Sequence, residues 1–327
     1  MKKMIKELKI YFKETPFNTL RNHILLFIVT FFSATFTQYA LINEENEIKK
    51  ILLSLSYSVP VMIILFSHEM GHYLFARRNN VEVTLPYFIP FPFLNQIGTL
   101  GAYIRMRTLP PDRASLFDIA FWGPAMSFLL SIPVTIIGLL LAENSPVVSE
   151  SAEFHFGTPY IIDILAKLFT NFSETDYLVS HPMVFAGWVG FLVTAINLFP
   201  IGQLDGGHIA YAFFGKRQKN VSFLFMVIIF ILSFEFAGWL FFAAMIYIMV
   251  GLRHPPIYEH HIEKLNLKRK KMALLSVLML TLCFMPVPIY IHDEAIRPRT
   301  PVPHHIDDEF RVENNTDLPK DKVYRVF

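Results

Sequence analysis

The stretch Ile51–Ala76, ILLSLSYSVPVMIILFSHEMGHYLFA, is apolar over enough residues to cross a bilayer, and it carries the motif His68-Glu69-Met70-Gly71-His72 near its end. Residues four apart lie on one face of a helix, so both imidazoles can bind one metal ion while Glu69 stays beside it. Three ionisable groups in hydrocarbon are costly unless something pairs them, and a divalent cation suits two neutral imidazoles and a carboxylate. The stretch therefore predicts a membrane-spanning helix that carries a metal-dependent active site.

The composition independently indicates a membrane protein. Hydrophobic residues make up 53% of the 327 positions and charged residues only 17%, and the charged residues are bunched between apolar runs. This pattern predicts an all-α polytopic protein embedded in the lipid bilayer. The net charge of +2 is too small to indicate a nucleic-acid partner. The single cysteine, Cys283, excludes an intrachain disulfide framework, and we expect it to face lipid or to pack in the core.

The apolar runs predict about seven transmembrane helices. The stretch 221–252 could be one long tilted helix, because Ser233, Glu235 and Gly238 form only a modest break, although its total length favours two short spans. The seven runs are His23–Leu41, Ile51–Phe75, Leu116–Leu141, Met183–Phe199, Val221–Phe234, Phe236–Leu252 and Met272–Ile291.

The Lys and Arg residues between these runs predict the orientation, because short cytoplasmic loops collect them. Alternating passages place all four basic clusters on the cytoplasmic side and the acidic loop Glu143–His181 on the other. We therefore expect a multi-pass protein of a prokaryotic cell membrane, with a cytoplasmic N-terminus and the His68 motif toward the cytoplasmic side. The clusters run from Lys2 to Arg21, over Arg77 and Arg78, from Lys216 to Lys219 and from Arg253 to Lys271.

A second motif supplies the third ligand that a catalytic zinc needs besides an open position. The segment Asn197–His208, NLFPIGQLDGGH, ends the fourth run at the same depth and on the same side as the first motif. Pro200 and the three glycines break the helix there, which hydrocarbon tolerates only where the freed backbone groups line a protein cavity. Asp205 is the expected ligand, and His208 is close enough to compete for that role.

Together the two motifs resemble the paired signature of the site-2 protease family of intramembrane zinc metalloproteases. The segment Gly98–Gly101 and the pair Gly123-Pro124 also resemble parts of that family's core, so the resemblance spans Ile51–Phe214. It implies Glu69 as the general base, Asn197 as a polar stabiliser near the reacting carbonyl, and a supporting or gating position for His208. It also implies one Zn²⁺ per chain, with the ligands His68, His72 and Asp205.

The resemblance further implies hydrolysis of peptide bonds within or near transmembrane segments, with single-pass membrane proteins as substrates. The expected organisation is a basic cytoplasmic segment 1–21 without a cleavable signal, a membrane-embedded metalloprotease domain 22–291 with its core at 51–214, and a flexible polar tail 292–327. The loop Glu143–His181 is too short for the PDZ domain of some members, and the tail has no core for a cystathionine-synthase-like module. The alternative is a metal-ion or proton transporter that uses the same His, Glu and Asp cluster.

The stretch Val81–Arg107 predicts a strand pair or re-entrant hairpin near the active site. Apolar residues alternate on both sides of the Pro- and Gly-rich segment Pro86–Gly101. A free strand edge could hold a substrate that has been unwound, because a transmembrane helix hides its amides in internal hydrogen bonds. The residues expected to present the substrate are Gly98, Leu100, Gly101, Ala102 and Ile104.

Other polar residues carry structural expectations. Asp118 lies near the cytoplasmic start of its span, which favours a helix-start role. Five histidines in polar segments are expected to be exposed to solvent, namely His254, His260, His261, His304 and His305.

Overall fold

The computed structural model describes residues 17–92, 96–143, 154–170, 181–249, 251–254, 257 and 265–291. The described residues are mostly helical, with two small antiparallel pairs of strands. Most of the predicted N-terminal segment and the whole predicted tail 292–327 lie outside these ranges, as do His260, His261, His304 and His305.

The elements follow one another in a fixed order along the chain. The helices are α1 Phe17–Leu41, α2 Glu47–Arg78, α3 Arg113–Glu143, α4 Tyr160–Phe169, α5 Pro182–Leu198, α6 Asp205–Phe214, α7 Gln218–Leu232, α8 Gly238–Met249 and α9 Leu267–Cys283. The strands are β1 Tyr87–Pro90, β2 Thr99–Tyr103, β3 Phe154–Phe156 and β4 Ile289–Ile291, and a 3₁₀ turn covers Gly215–Arg217.

Among the described residues, three helices are long and apolar enough to cross a bilayer, namely Leu20–Leu41 within α1, all of α2, and Arg113–Ala142 within α3. The 32 residues of α2 rise about 48 Å, more than the roughly 30 Å of hydrocarbon in a bilayer. Shorter apolar helices are Pro182–Leu198 and Gly238–Ile248. Large apolar side chains such as Phe32 and Ile63 are more than half exposed, as expected for a surface that faces lipid. The chain is a multi-pass membrane protein.

The second half of the chain differs in places from the predicted spans. The stretch 221–252 contains most of α7 and all of α8, separated by a turn, so it is not one continuous helix. The last helix ends at Cys283, so the predicted span to Ile291 was wrong. Pro286 and Pro288 cannot continue a helix, and the chain then forms β4, which pairs with β3. Cys283 is fully buried, so it packs in the core rather than against lipid.

The predicted hairpin is confirmed as β1 and β2, with Tyr87 opposite Tyr103 and Phe88 opposite Ala102. Side chains of α1 and α2 hold its tip through backbone carbonyls. Ser33 donates to Gly98 over 2.6 Å, and the Tyr57 hydroxyl donates to Ile97 over 2.7 Å. Gly98 has φ +76°, and an added Cβ would lie 2.7 Å from the Cα of Ala34, so this turn requires glycine. The hairpin is thereby fixed beside α1 and α2, and α2 carries the first motif.

Helices α2 and α3 cross so closely that their backbones touch. A Cβ on Gly71 would overlap the carbonyl oxygen of Trp122, and a Cβ on Gly123 would overlap the imidazole of His72. Small residues permit such close approach between membrane helices. This crossing sets the position of the His68 motif against α3.

We expect Gly71→Ala to lower thermal stability because the new methyl group meets backbone of α3 that cannot rotate away. Overpacking of this kind costs about 1–3 kcal/mol. The matched control is Leu52→Ala on the same helix, because the Leu52 side chain is 61% exposed and makes little contact with the rest of the protein. Melting of the two purified variants in detergent measures the effect. Equal melting temperatures for both variants and the wild type would contradict the close crossing.

Candidate metal centre

Two imidazoles of the first predicted motif and one carboxylate of the second lie close together in the structure. The Nε2 atoms of His68 and His72 lie 3.2 Å apart, and Asp205 Oδ2 lies 3.4 Å from His68 Nε2 and 3.2 Å from His72 Nε2. Both imidazoles are buried and the carboxylate is nearly so. The three residues form a group whose ligand atoms all lie within 4.8 Å of one another.

These separations fit a tetrahedral zinc ion. Zinc binds imidazole nitrogen and carboxylate oxygen at about 2.0–2.2 Å, so neighbouring tetrahedral ligands lie about 3.3–3.6 Å apart. The three observed distances of 3.2–3.4 Å match that spacing. Two histidines and one carboxylate are also a donor set that zinc uses in catalytic sites, where a fourth position stays open.

Hydrogen bonds at the far nitrogens orient both rings. His72 Nδ1 lies 2.8 Å from the carbonyl oxygen of Ile119, an acceptor, so the proton sits on Nδ1 and the Nε2 lone pair points at the ligand group. His68 Nδ1 lies 3.0 Å from Ser127 Oγ, which lies 2.9 Å from Thr194 Oγ1, which in turn donates to the Gly190 carbonyl. Helices α3 and α5 thus fix the tautomers that a metal requires.

Asp205 reaches the imidazoles because the chain breaks between α5 and α6. Leu204 is the N-cap of α6 and makes no side-chain capping bond. Asp205 is the first residue of this helix, and its carboxylate contacts the two histidines. A Cβ on Gly206 would overlap the Leu198 carbonyl oxygen, and one on Gly207 would overlap the Gly202 carbonyl oxygen. The glycine pair is what lets α6 start directly against the end of α5.

The freed backbone of this break is satisfied from α7. Ser222 Oγ donates to the Pro200 carbonyl over 3.1 Å and accepts from the Gly202 amide at 3.1 Å. Gln218 Nε2 donates to the Gly202 carbonyl over 3.2 Å and to Ser222 Oγ over 2.7 Å. Both side chains are buried, which meets the requirement that irregular backbone inside a membrane be bonded within the protein.

Glu69 lies in the same cavity but outside the ligand group. Its side chain is buried, and it lines the cavity together with Ile104. The cavity has a volume of about 210 Å³ and opens between the hairpin, α2, α3 and α6. A carboxylate that is held beside a metal site without being a ligand can act as a general base.

The other predicted site residues are distributed unevenly around this cavity. Asn197, Ala102 and Ile104 line it, whereas Gly98 and Gly101 do not and Leu100 lies 58% exposed on β2. The Asn197 amide donates to the Val193 carbonyl over 3.0 Å, one of its two N–H groups. Asn197 therefore lies in the cavity beside the candidate ligands, and this contact does not define a chemical role for it.

Two expectations about polar residues were wrong. Asp118 does not start its helix, because Asp112 accepts the Ser115 amide over 2.7 Å and Asp118 instead binds Arg269 of α9 through both carboxylate oxygens, at 2.9 and 2.6 Å. His254 is half-buried rather than exposed, and its Nε2 lies 2.6 Å from His208 Nδ1. The sequence does contain a signal for this contact, because His254 follows the sixth predicted span and is expected on the same side of the membrane as the second motif.

Comparison with known proteins agrees with this site. The sequence profile of Peptidase family M50 matches residues 56–252, which include all three candidate ligands. The chain is 33% identical over 168 residues to "Probable zinc metalloprotease EGY1, chloroplastic" of Oryza sativa subsp. japonica, covering 50% of this chain and 28% of that protein. The protein of the same name from Arabidopsis thaliana is 32% identical over 170 residues, covering 50% and 30%.

A third relative, "Probable zinc metalloprotease EGY2, chloroplastic" of Oryza sativa subsp. indica, is 34% identical over 157 residues, covering 47% of this chain and 28% of that protein. The chain therefore spans about three tenths of the length of these relatives. No solved structure matches it. The family profile covers well over half of the 327 residues, including both motifs, and on that ground the chain belongs to peptidase family M50.

Proposed function

We propose that the chain is an intramembrane zinc metalloprotease that hydrolyses peptide bonds within or near transmembrane segments of other membrane proteins. The observation that carries this proposal is the meeting of two Nε2 atoms and one carboxylate oxygen at 3.2–3.4 Å beside a buried glutamate. A transporter built from the same cluster would use Glu69 as a ligand too. In the described part of the chain the ligand group contains His68, His72 and Asp205 and leaves Glu69 out, which favours proteolysis.

One Zn²⁺ per chain, held by these three residues, would supply Lewis-acid activation of water and of the scissile carbonyl. Glu69 accepts the proton of the attacking water and passes it to the leaving amine. Asn197, whose second amide N–H is available to a ligand, hydrogen bonds the substrate beside the reacting carbonyl.

We propose that the substrates are single-pass membrane proteins, and that β2 holds the substrate chain in an extended form. Among the described strands, β2 pairs with β1 alone, along one of its two edges. Ala102 and Ile104 line the cavity, and Leu100 is exposed beside it. Gly98 lies in the turn with φ +76°, and Gly101 lies within β2 with φ +96°. An added strand would gain backbone hydrogen bonds that replace those of its unwound helix.

We further propose that residues 22–291 form a membrane-embedded domain of about seven spans, with its core at 51–214. The basic clusters favour a cytoplasmic N-terminus and an active site toward the cytoplasmic side. We also propose the cell membrane of a prokaryote as the location, whereas the names of the relatives place those proteins in chloroplasts.

We expect Glu69→Gln to retain zinc and to lose cleavage by about 10²–10⁴-fold, because the amide fills the same space and cannot accept the proton. The measurement compares membranes that hold the wild-type chain with membranes that hold Glu69→Gln, and identifies by mass spectrometry the single-pass proteins that accumulate uncut. Full cleavage by the variant would remove the protease assignment.

Asp205→Asn should weaken zinc binding, because a neutral amide replaces a charged oxygen ligand. The control is Asp118→Asn, which removes another carboxylate of the membrane domain and only the ion pair with Arg269. Zinc per purified chain, determined by atomic absorption after dialysis against a weak chelator, should fall for Asp205→Asn alone. An equal loss in both variants would place the metal elsewhere.

Proline at Leu100 should abolish cleavage and leave zinc content unchanged if β2 binds the substrate backbone. Proline removes an N–H donor and fixes φ, so no strand could pair there. Leu109→Pro serves as the control, since Leu109 is 47% exposed and already precedes a proline in a loop. Normal cleavage by Leu100→Pro would exclude this edge as the binding strand.

A further inference from the structure

The cavity contains one more imidazole that the mechanism above leaves unused. His208 lies three residues after Asp205, in the first turn of α6, so both side chains lie on the same helix face. It lines the cavity together with Glu69, His72 and Asn197. Because Asp205 already occupies the third ligand position at 3.2–3.4 Å, His208 is available to a substrate.

His208 is held on its outer edge by a second histidine. His208 Nδ1 lies 2.6 Å from His254 Nε2, with the two rings nearly perpendicular at 81°. This contact occupies Nδ1, so Nε2 is the ring nitrogen that can reach a ligand in the cavity. Both rings are partly buried, which limits competition from water.

His254 is itself fixed in two ways. Its ring stacks on Tyr211 of α6, with centroids 4.2 Å apart and an angle of 23° between the planes. Its backbone amide donates to Gln218 Oε1 over 3.3 Å, and the Gln218 amide donates to the Gly202 carbonyl. The segment after α8 is thereby tied to the same break that places Asp205.

The contact between the two histidines allows two tautomer pairs. If His254 donates from Nε2, a neutral His208 carries its proton on Nε2 and presents a donor to the cavity. If His208 donates from Nδ1, a lone pair would point into a cavity that already contains the carboxylates of Glu69 and Asp205. With Asp205 used as a zinc ligand, the Glu69 carboxylate remains in the cavity, where it would repel a lone pair and attract an N–H group, so the first pair is favoured.

We propose that His208 is a further catalytic residue, which donates Nε2–H to the scissile carbonyl oxygen as negative charge develops there, and that His254 is the positioning residue that fixes its tautomer. This inference rests on the proposed proteolysis. Water adds to the carbonyl carbon, Glu69 takes one proton from the water, the C–N bond breaks, and the same proton leaves on the amine. His208 keeps its own proton throughout and acts only by hydrogen bonding, as donors in oxyanion holes do.

The test uses the purified full chain loaded with zinc, and a blocked tripeptide phosphinate with apolar side chains as the probe. The tetrahedral phosphorus imitates the addition intermediate, so its affinity reports transition-state binding without turnover. His208→Leu should weaken the phosphinate and lower kcat by about 10²-fold each, with KM and zinc content nearly unchanged. His208→Gln, whose amide can donate from a similar position, should recover part of both losses.

His254→Phe tests the positioning role, because phenylalanine can keep the stacking on Tyr211 and removes the donor. It should lower kcat and phosphinate affinity in the same proportion while the melting temperature stays close to that of the wild type. The matched control is His181→Asn at the opposite end of α5, where His181 caps the helix by accepting the Met183 amide over 3.1 Å. Asparagine can keep that cap, so this variant should match the wild type.

The contradicting outcomes separate the two proposals. A wild-type chain that neither binds the phosphinate nor cleaves any single-pass protein would overturn the proposed proteolysis. A wild-type chain that does both, with His208→Leu within threefold of it, would overturn only the role of His208. Loss of zinc in His208→Leu would also overturn that role, because His208 would then be a ligand.

Discussion

The structure depends on the meeting of one carboxylate and two imidazoles inside a bundle of membrane helices. Isolated polar groups in hydrocarbon are costly, and a divalent cation is the partner that can offset the cost for all three at once. Asp205 Oδ2 lies 3.2 Å from His72 Nε2 and 3.4 Å from His68 Nε2, which are distances that only a specific packing of α2, α3 and α6 can produce. The close crossing of α2 and α3 at Gly71 and Gly123 provides one part of that packing.

The other part of the packing that places Asp205 is the interruption between α5 and α6. A continuous helix would have carried Asp205 past the imidazoles, whereas the break turns the chain back and starts a new helix at the ligand. Ser222 and Gln218 bond the Pro200 carbonyl and the amide and carbonyl of Gly202, so the irregular segment finds hydrogen-bond partners within the protein. Gln218 also binds the amide of His254, and one side chain therefore links the ligand segment to the His208 pair.

The meeting of His68, His72 and Asp205 could be predicted from the sequence because hydrocarbon penalises these residues so strongly that chance placement is rare. The hairpin could be predicted because Gly and Pro bracket alternating apolar residues. Contacts between distant segments could not. Asp118 and Arg269 are 151 residues apart, and His254 follows a span without any local motif, so both pairings depend on how the helices pack. Helix α4 has only ten residues, too few to stand out as an apolar run inside the loop Glu143–His181.

If this carboxylate and these imidazoles share one zinc ion, X-ray absorption at the zinc edge of the purified full chain measures that ligand shell directly. We expect one zinc per chain, with two imidazole nitrogens and oxygen ligands at about 2.0–2.2 Å. A zinc shell without two imidazoles, or a purified chain that binds no zinc when it is supplied, would contradict it.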